Sequence, residues 1–194
     1  AEFSYSLIQG YDFWHLYKEK GTVLQIGGSD QWGNMLSGVP LIRKKEGKEA
    51  HAMSMPLIEN KATGTKFGKS EDGAVWLDSS RTSPYKFYQF WLNVDDASVE
   101  DYLKIFTELD KKEVDQIMAE FSKDKSGRIA QKRLAKEVTK IVHGEQISKS
   151  VERVTGVLFG NKDYSDLSNE DFSLLKEELP IVSARIGQGL PKIL

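Results

Sequence analysis

The segment Gln25-Ile26-Gly27-Gly28-Ser29-Asp30-Gln31-Trp32-Gly33-Asn34 constrains the fold more than any other part of the 194-residue chain. It closes a short apolar run, Thr22 to Gly27, and a run of that length ending in a glycine pair reads as a buried strand feeding a turn. Gln31 to Lys45 has helical texture, and Met53 to Ile58 reads as a second strand. Strand, helix and strand in that order predict a βαβ unit and hence a parallel sheet with crossovers.

The texture changes near residue 93. Residues 1–93 are turn-punctuated and hold most of the glycines and all four Trp. From Ser83-Pro84 onward the pattern is helical, with Ser83 as N-cap and Pro84 at the first helical position. Asp110 followed by Glu113, and Ser168 followed by Asp171, have capping-box spacing, so helices are expected to begin near 111 and 169. Arg128 to Val142 is amphipathic: Leu134, Val138, Ile141 and Val142 fall on one face, and Arg128, Lys132, Lys136 and Lys140 line another. Residues 94–160 therefore read as an all-helical domain. Residues 161–194 read as one short helix and a linker carrying Gly187, Gly189 and Pro191 toward a further domain.

Composition removes several function classes. With 27 basic and 29 acidic residues the formal charge is −2, which argues against a wholesale basic nucleic-acid binder but leaves room for a local basic face. The absence of Cys excludes disulfides, thiolate metal sites and a cysteine nucleophile. The three His, at 15, 51 and 143, are too scattered for metal-ligand spacing, so no metal site is expected. No stretch approaches the roughly 18 apolar residues of a membrane span, and no signal segment opens the chain, so a cytoplasmic protein is expected. Ala1 and Leu194 both read as cut ends rather than natural termini.

Four constellations can carry chemistry. In the Gly27-Gly28-Ser29-Asp30-Gln31 turn, glycine lets the backbone approach a ribose or phosphate, Asp30 can accept from ribose hydroxyls, and Gln31 can donate without adding negative charge. The competing reading is a tight turn with Ser29 or Asp30 capping the helix. Gly64-Thr65-Lys66-Phe67-Gly68-Lys69-Ser70 sets two lysines three apart in a glycine-bracketed loop, suited to a polyphosphate but without Walker spacing; a solvated basic loop competes. Tyr5, Gln9 and Asp12 share one helical face, flanked by Phe3, Leu7, Ile8 and Phe13, as in a semi-apolar pocket or simply a wet helix face. Residues 123–140 carry seven basic side chains against two acidic ones, a stripe that suits phosphate contacts or a solvated surface. The histidines have no Ser-acid arrangement beside them and read as structural, with His143 ending a helix where a cation suits the dipole.

Taken in order, Tyr5-x-x-x-Gln9-x-x-Asp12, the Gln25 to Asn34 segment, the Gly64 to Ser70 loop and Thr82-Ser83-Pro84-Tyr85-Lys86-Phe87-Tyr88-Gln89-Phe90-Trp91 closely resemble the bacterial-type tyrosyl-tRNA synthetases. The resemblance extends through Ala135-Lys136-Glu137-Val138-Thr139-Lys140 and covers residues 1–160 strongly. It implies the C-terminal half of a Rossmann-like α/β catalytic domain over residues 1–93 and a helical tRNA-recognition domain over 94–160. Lys66-Phe67-Gly68-Lys69-Ser70 resembles the KMSKS loop, with Phe67 and Gly68 in place of Met and Ser, so Lys66 and Lys69 are implied to hold the ATP pyrophosphate. Gly28 and Asp30 resemble the adenosine-ribose contacts, and Gln31 the residue beside the tyrosine carboxylate and α-phosphate. Tyr5 and Gln9 match positions holding the tyrosine α-amino group, and Asp12 the acceptor of the phenolic hydroxyl, where a buried acceptor left without its donor rejects phenylalanine. Arg128, Lys132, Lys136 and Lys140 are the implied tRNA contacts. The resemblance further implies ATP as substrate with Mg²⁺, tRNA(Tyr) as partner, and a homodimer for the full-length protein.

Nothing in the chain matches the family's HIGH signature or its C-terminal RNA-binding domain. The chain thus reads as an internal piece, not competent alone for tyrosine activation. A non-catalytic RNA-binding or interaction module and a tryptophanyl-tRNA synthetase are the competing readings, and Asp12 argues against the latter.

Overall fold

A computed structural model of the chain describes residues 2–65, 67, 75–160 and 162–179. The chain divides into two compact units, Ala1–Glu59 and Asn60–Leu194.

The first unit contains α1 (Glu2–Lys20), β1 (Leu24–Gly28), a 3₁₀ turn (Ser29–Gln31), α2 (Trp32–Glu46) and β2 (His51–Met55). β1 pairs with β2 in parallel, with Ile26 opposite Met53 and Gly28 opposite Met55. The expected βαβ unit is therefore present, with its second strand earlier than the apolar pattern suggested. The ladder opens where the His51 N–H donates to Val23 O at 2.8 Å. It stops before Pro56, which has no N–H to give.

Small residues set the approach of α1 to α2. A Cβ on Gly10 would stand 2.4 Å from Ser37 Oγ, and one on Gly38 would stand 2.7 Å from Phe13 Cδ1. Phe13, Ile42 and Ala50 form the core there, with Trp14, Tyr17 and Val39 packed against it. α2 ends at Gly47, whose φ of 66° closes the helix in the left-handed conformation that glycine adopts without penalty. Phe3, Leu7, Ile8 and Tyr11 on α1, and Ile26 and Met55 on the strands, remain exposed.

The second unit is helical: α3 (Pro84–Leu92), α4 (Val99–Phe106), α5 (Lys111–Lys123), α6 (Ile129–His143), α7 (Glu145–Phe159) and α8 (Asn169–Glu178). Its helix starts follow the local sequence. The Ser83 hydroxyl accepts from Lys86 N ahead of Pro84, and Asp110/Glu113 and Ser168/Asp171 form reciprocal capping boxes. α3 packs on α6 and α7, so the change of texture near residue 93 falls inside this unit.

α6 is its central helix, touched by α3, α4, α5 and α7. Its buried residues are Ala130, Gln131, Leu134, Ala135, Val138 and Thr139. That face is rotated from the one expected, because neighbours on several sides bury Gln131 and Thr139 as well. Ile141 consequently falls at its edge in the last turn and is exposed.

α8 is fastened to α7 by a buried carboxylate. Asp171 accepts from Arg153 Nε and Nη2, both at 2.9 Å, and also from the Ser150 hydroxyl. Burial disfavours its charge, but donation by Arg153, Ser150 and Ser168 outweighs that and holds the carboxyl well below the usual range. The linker residues Gly187, Gly189 and Pro191 lie outside the described residues. No described helix is long and apolar enough to cross a membrane.

Candidate functional site

The strand-to-helix turn after β1 is not organised around helix capping. The residue entering α2 is Gln31, and neither Ser29 nor Asp30 supplies a side-chain cap to it. Instead the Asp30 carboxylate lies against the α-carbon of Gly28. A Cβ on Gly28 would stand 2.7 Å from Asp30 Oδ1 and 2.9 Å from Leu57 Cδ2. A side chain at residue 28 would have to move both the carboxylate and the leucine methyl, the far ends of two side chains, while the backbone itself, with φ at −65°, does not call for glycine.

Gln31 is fixed from the helix side. Its Oε1 accepts from Asn34 Nδ2 at 3.2 Å, which leaves the Nε2 donors available. Asn34 O lies 2.7 Å from Ser37 Oγ, and Ser37 Oγ lies 2.5 Å from Ser6 O. The Ser37 hydroxyl, with one proton to give, thus sits between two carbonyl acceptors, one in α2 and one on the α1 residue following Tyr5. Ser37 lies outside every motif singled out in the sequence, and Asn34, though it closes the Gln25 to Asn34 segment, has no role assigned there; the contact of each depends on the folded helix.

Tyr5, Gln9 and Asp12 lie on α1 at the expected spacing of one face. Tyr5 is 67% exposed, Asp12 is exposed and Gln9 is half-buried. The arrangement offers a phenol, an amide and a carboxylate along one helix, bordered by exposed apolar side chains. It does not enclose them. Lys66, Gly68, Lys69 and Ser70 lie outside the described residues. The chain entering that loop is ordered by Asn60, whose Oδ1 accepts from Ala62 N and Thr63 N at 2.9 and 3.0 Å. Gly64 turns there with φ at 68°.

The basic helix is less free than its composition implied. Arg128 points its guanidinium inward, donating from Nη2 to Leu92 O at 2.8 Å and Val94 O at 3.1 Å. Arg133 pairs with Glu137 at 2.9 Å, Lys136 with Glu152 at 3.1 Å and Lys140 with Glu145 at 3.3 Å. Lys132 is exposed and has no ion pair among the described residues. Such surface pairs contribute at most about 1 kcal/mol, so an arriving phosphate can still recruit the lysines, whereas Arg128 is committed to the fold. Lys132 also borders a cavity of about 590 Å³ whose wall includes Tyr88, Thr155 and Phe159.

His143 does end α6, but not as the cation that the helix dipole would favour. Burial lowers its pKa, and its ring sits edge-on to Phe87 with centroids 4.9 Å apart. Desolvation therefore outweighs the dipole at this helix end. Among the described residues no group of three or more His, Asp or Glu could hold a metal ion.

A parallel βαβ unit with a glycine turn at the carboxyl end of its first strand, followed by a helical unit, is the arrangement of nucleotide-handling α/β enzymes. Residues 1–160 match the family model described as tRNA synthetases class I (W and Y), and the chain belongs to that family. It is 55% identical over 171 residues to a tyrosine–tRNA ligase of Bacteroides fragilis, covering 88% of this chain and 40% of the relative. It is 50% identical over 180 residues to that of Anaeromyxobacter dehalogenans, covering 93% and 43%. A C-terminally truncated mitochondrial tyrosyl-tRNA synthetase of Coccidioides posadasii superposes with a TM-score of 0.63 at 36% identity, over 78% of this chain and 44% of that one. The chain thus spans about two fifths of the length of the curated relatives it matches.

Proposed function

We propose that this chain supplies part of the active site and the tRNA-facing helices of a tyrosine–tRNA ligase, which activates L-tyrosine with ATP to tyrosyl-adenylate and transfers it to tRNA(Tyr). The observation that carries this is the Gly28–Asp30 apposition in a turn that no side chain caps, in a chain half identical to proteins of that name. Those names favour tyrosine over tryptophan within a family that includes both.

In this reading the Asp30 carboxylate accepts from the ribose hydroxyls while the bare Gly28 backbone lets the ribose approach. Gln31, with its Oε1 held by Asn34, presents Nε2 to the tyrosine carboxylate and α-phosphate. Tyr5 and Gln9 receive the α-amino group, and Asp12 accepts from the phenolic hydroxyl. Lys66 and Lys69 neutralise charge on the departing pyrophosphate. The nucleophile is the substrate's own carboxylate, attacking the α-phosphorus as pyrophosphate leaves, and the tRNA terminal hydroxyl then attacks the tyrosyl carbonyl, taking the acyl group as AMP leaves. Catalysis is positioning and charge stabilisation, with no protein nucleophile. Mg²⁺ would arrive on the ATP phosphates, since the described residues form no cage for it. Lys132, Lys136 and Lys140 face the tRNA backbone, in a cytoplasmic protein that dimerises at full length.

Tyr5 and Asp12 are open to water here, and an exposed carboxylate bonded to water discriminates little between substrates. Residues 1–194 alone are therefore expected to show no tyrosine-dependent ATP–pyrophosphate exchange, whereas the full-length protein containing them is expected to show it. Failure of the full-length protein to exchange with tyrosine would end this reading.

A further inference from the structure

Gln31 enters α2 with its stem held and its amide free to turn. A Cβ on Gly27 would stand 3.4 Å from Gln31 Cβ and 3.1 Å from Met35 Sδ, so the stem and the buried Met35 both lie against the bare end of β1. The backbone of Gln31, at φ −93° and ψ 0°, closes the 3₁₀ turn and opens the helix. What packing does not settle is the last side-chain torsion, which joins a tetrahedral carbon to the planar amide and is broad and roughly two-fold. Half a turn about it exchanges Oε1 for Nε2. The two ends are chemically opposite, one accepting and the other donating twice.

That torsion has one partner among the described residues. Asn34, half-buried in the first turn of α2, donates from Nδ2 to Gln31 Oε1 at 3.2 Å. Residues three apart on a helix are neighbours, and the Asn34 carbonyl in turn accepts from Ser37 Oγ at 2.7 Å. With Oε1 taken up in this way, the two Nε2 protons are left for another acceptor. The first turn of α2 carries no acidic side chain, so no carboxylate competes for them from there.

We propose that Asn34 is a positioning residue for Gln31: by occupying Oε1 with a donor, it turns Nε2 outward to meet the tyrosine carboxylate and the α-phosphate of ATP. This rests on the ligase reading, which supplies the two anions. The residue type at position 34 then matters in a particular way. A carboxylate of the same shape has no proton to give, so it would take Nε2 for itself and turn Oε1, an acceptor, toward the anions. An alanine would leave the amide free to rotate in water.

The test is a double-mutant cycle in the full-length protein, read as kcat/KM for tyrosine-dependent ATP–pyrophosphate exchange. Asn34→Ala is expected to cost about 3- to 10-fold, the scale of one net hydrogen bond. In a Gln31→Ala background the same change is expected to cost less than about twofold, because the group it acts through is gone. Asn34→Asp is expected to cost about 100-fold or more, the scale of a lost oxyanion donor. Most of that cost is expected to disappear without Gln31, which separates it from repulsion by the new charge. Its melting temperature is expected to stay level or rise, since a negative charge in the first turn suits the helix dipole. Losses that multiply in the double variant overturn the proposal, and so does Asn34→Asp at wild-type activity. A melting temperature that falls in step with activity in Asn34→Ala also overturns it, since residue 34 would then serve the fold alone. A second arm uses the 194-residue chain and no activity: the side-chain NH₂ resonances of Gln31, assigned by their disappearance in Gln31→Ala, are expected to move in Asn34→Ala and in Asn34→Asp. If the wild-type full-length protein shows no tyrosine-dependent exchange, the ligase reading has failed separately. The resonance arm then decides the contact, and unmoved Gln31 signals refute it.

Discussion

The carboxylate of Asp30 occupies the space that a side chain on Gly28 would need: a Cβ there would stand 2.7 Å from Asp30 Oδ1. An aspartate has too short a stem to swing aside without changing where its oxygens point. Gly28→Ala is therefore expected to leave the fold intact and to raise the KM for ATP in the full-length protein by about tenfold or more, the scale of one charge-assisted hydrogen bond lost. Steady-state exchange kinetics with ATP varied checks this, and tyrosine KM is expected to stay within a few-fold.

Asp171 ties α8 to α7 as a buried carboxylate with a lowered pKa. A depressed carboxyl contributes stability above its unfolded value, near 4, and loses it as pH falls through the folded value. Acid unfolding of α8 is thus expected below about pH 4. Asp171→Asn is expected to cost about 2 kcal/mol or more at pH 7, because Arg153 then donates to a neutral amide, and to flatten that acid limb. Circular dichroism melts between pH 2 and 7 read both effects.

His143 gives a second, milder pH window. Burial lowers its pKa, so the unfolded chain binds the proton first and stability falls as pH drops below about 6.5. Replacing it by Gln is expected to remove the part of the melting-temperature change between pH 7 and 5 that belongs to this residue. A wild-type and a His143→Gln profile that stay parallel would contradict it.

The sequence made the capping residues, the βαβ order and the spacing of Tyr5, Gln9 and Asp12 legible, because each depends on residues within a few positions of one another. Ser83, Asp110 and Ser168 cap the helices they were expected to cap. What stayed hidden depends on contacts distant in sequence. The crowding at Gly28 comes partly from Leu57, and the ring contacts of Phe67 with Phe90 and Phe106 from side chains more than twenty residues further on. The apolar pattern likewise overran β2, since it registers side chains while the ladder ends on the missing N–H of Pro56. Whether Ser29 or Asp30 caps α2 turned on where that helix begins, a matter of one or two residues that propensity does not resolve.

Arg128 and Lys132 looked equivalent on the basic stripe and are expected to behave differently. Arg128 closes the Leu92 and Val94 carbonyls from a backbone with φ at 51°, so Arg128→Ala is expected to destabilise the helical unit by about 1.5–3 kcal/mol. Lys132→Ala is expected to leave stability unchanged, weaken tRNA binding and reduce the slope of log affinity against log salt by about one. Chemical denaturation and filter binding across a salt series separate the two.

The account stands most directly on Asp12 as the acceptor of the substrate phenol. The measurement is kcat/KM for exchange with tyrosine and with phenylalanine in the full-length protein and its Asp12→Ala variant. Discrimination by a site built to hydrogen-bond a hydroxyl runs to about 10⁴–10⁵-fold, and the variant is expected to lose at least about 100-fold of it, mainly through tyrosine. A tyrosine-to-phenylalanine ratio unchanged by Asp12→Ala would contradict the assignment of the α1 face as the amino-acid site.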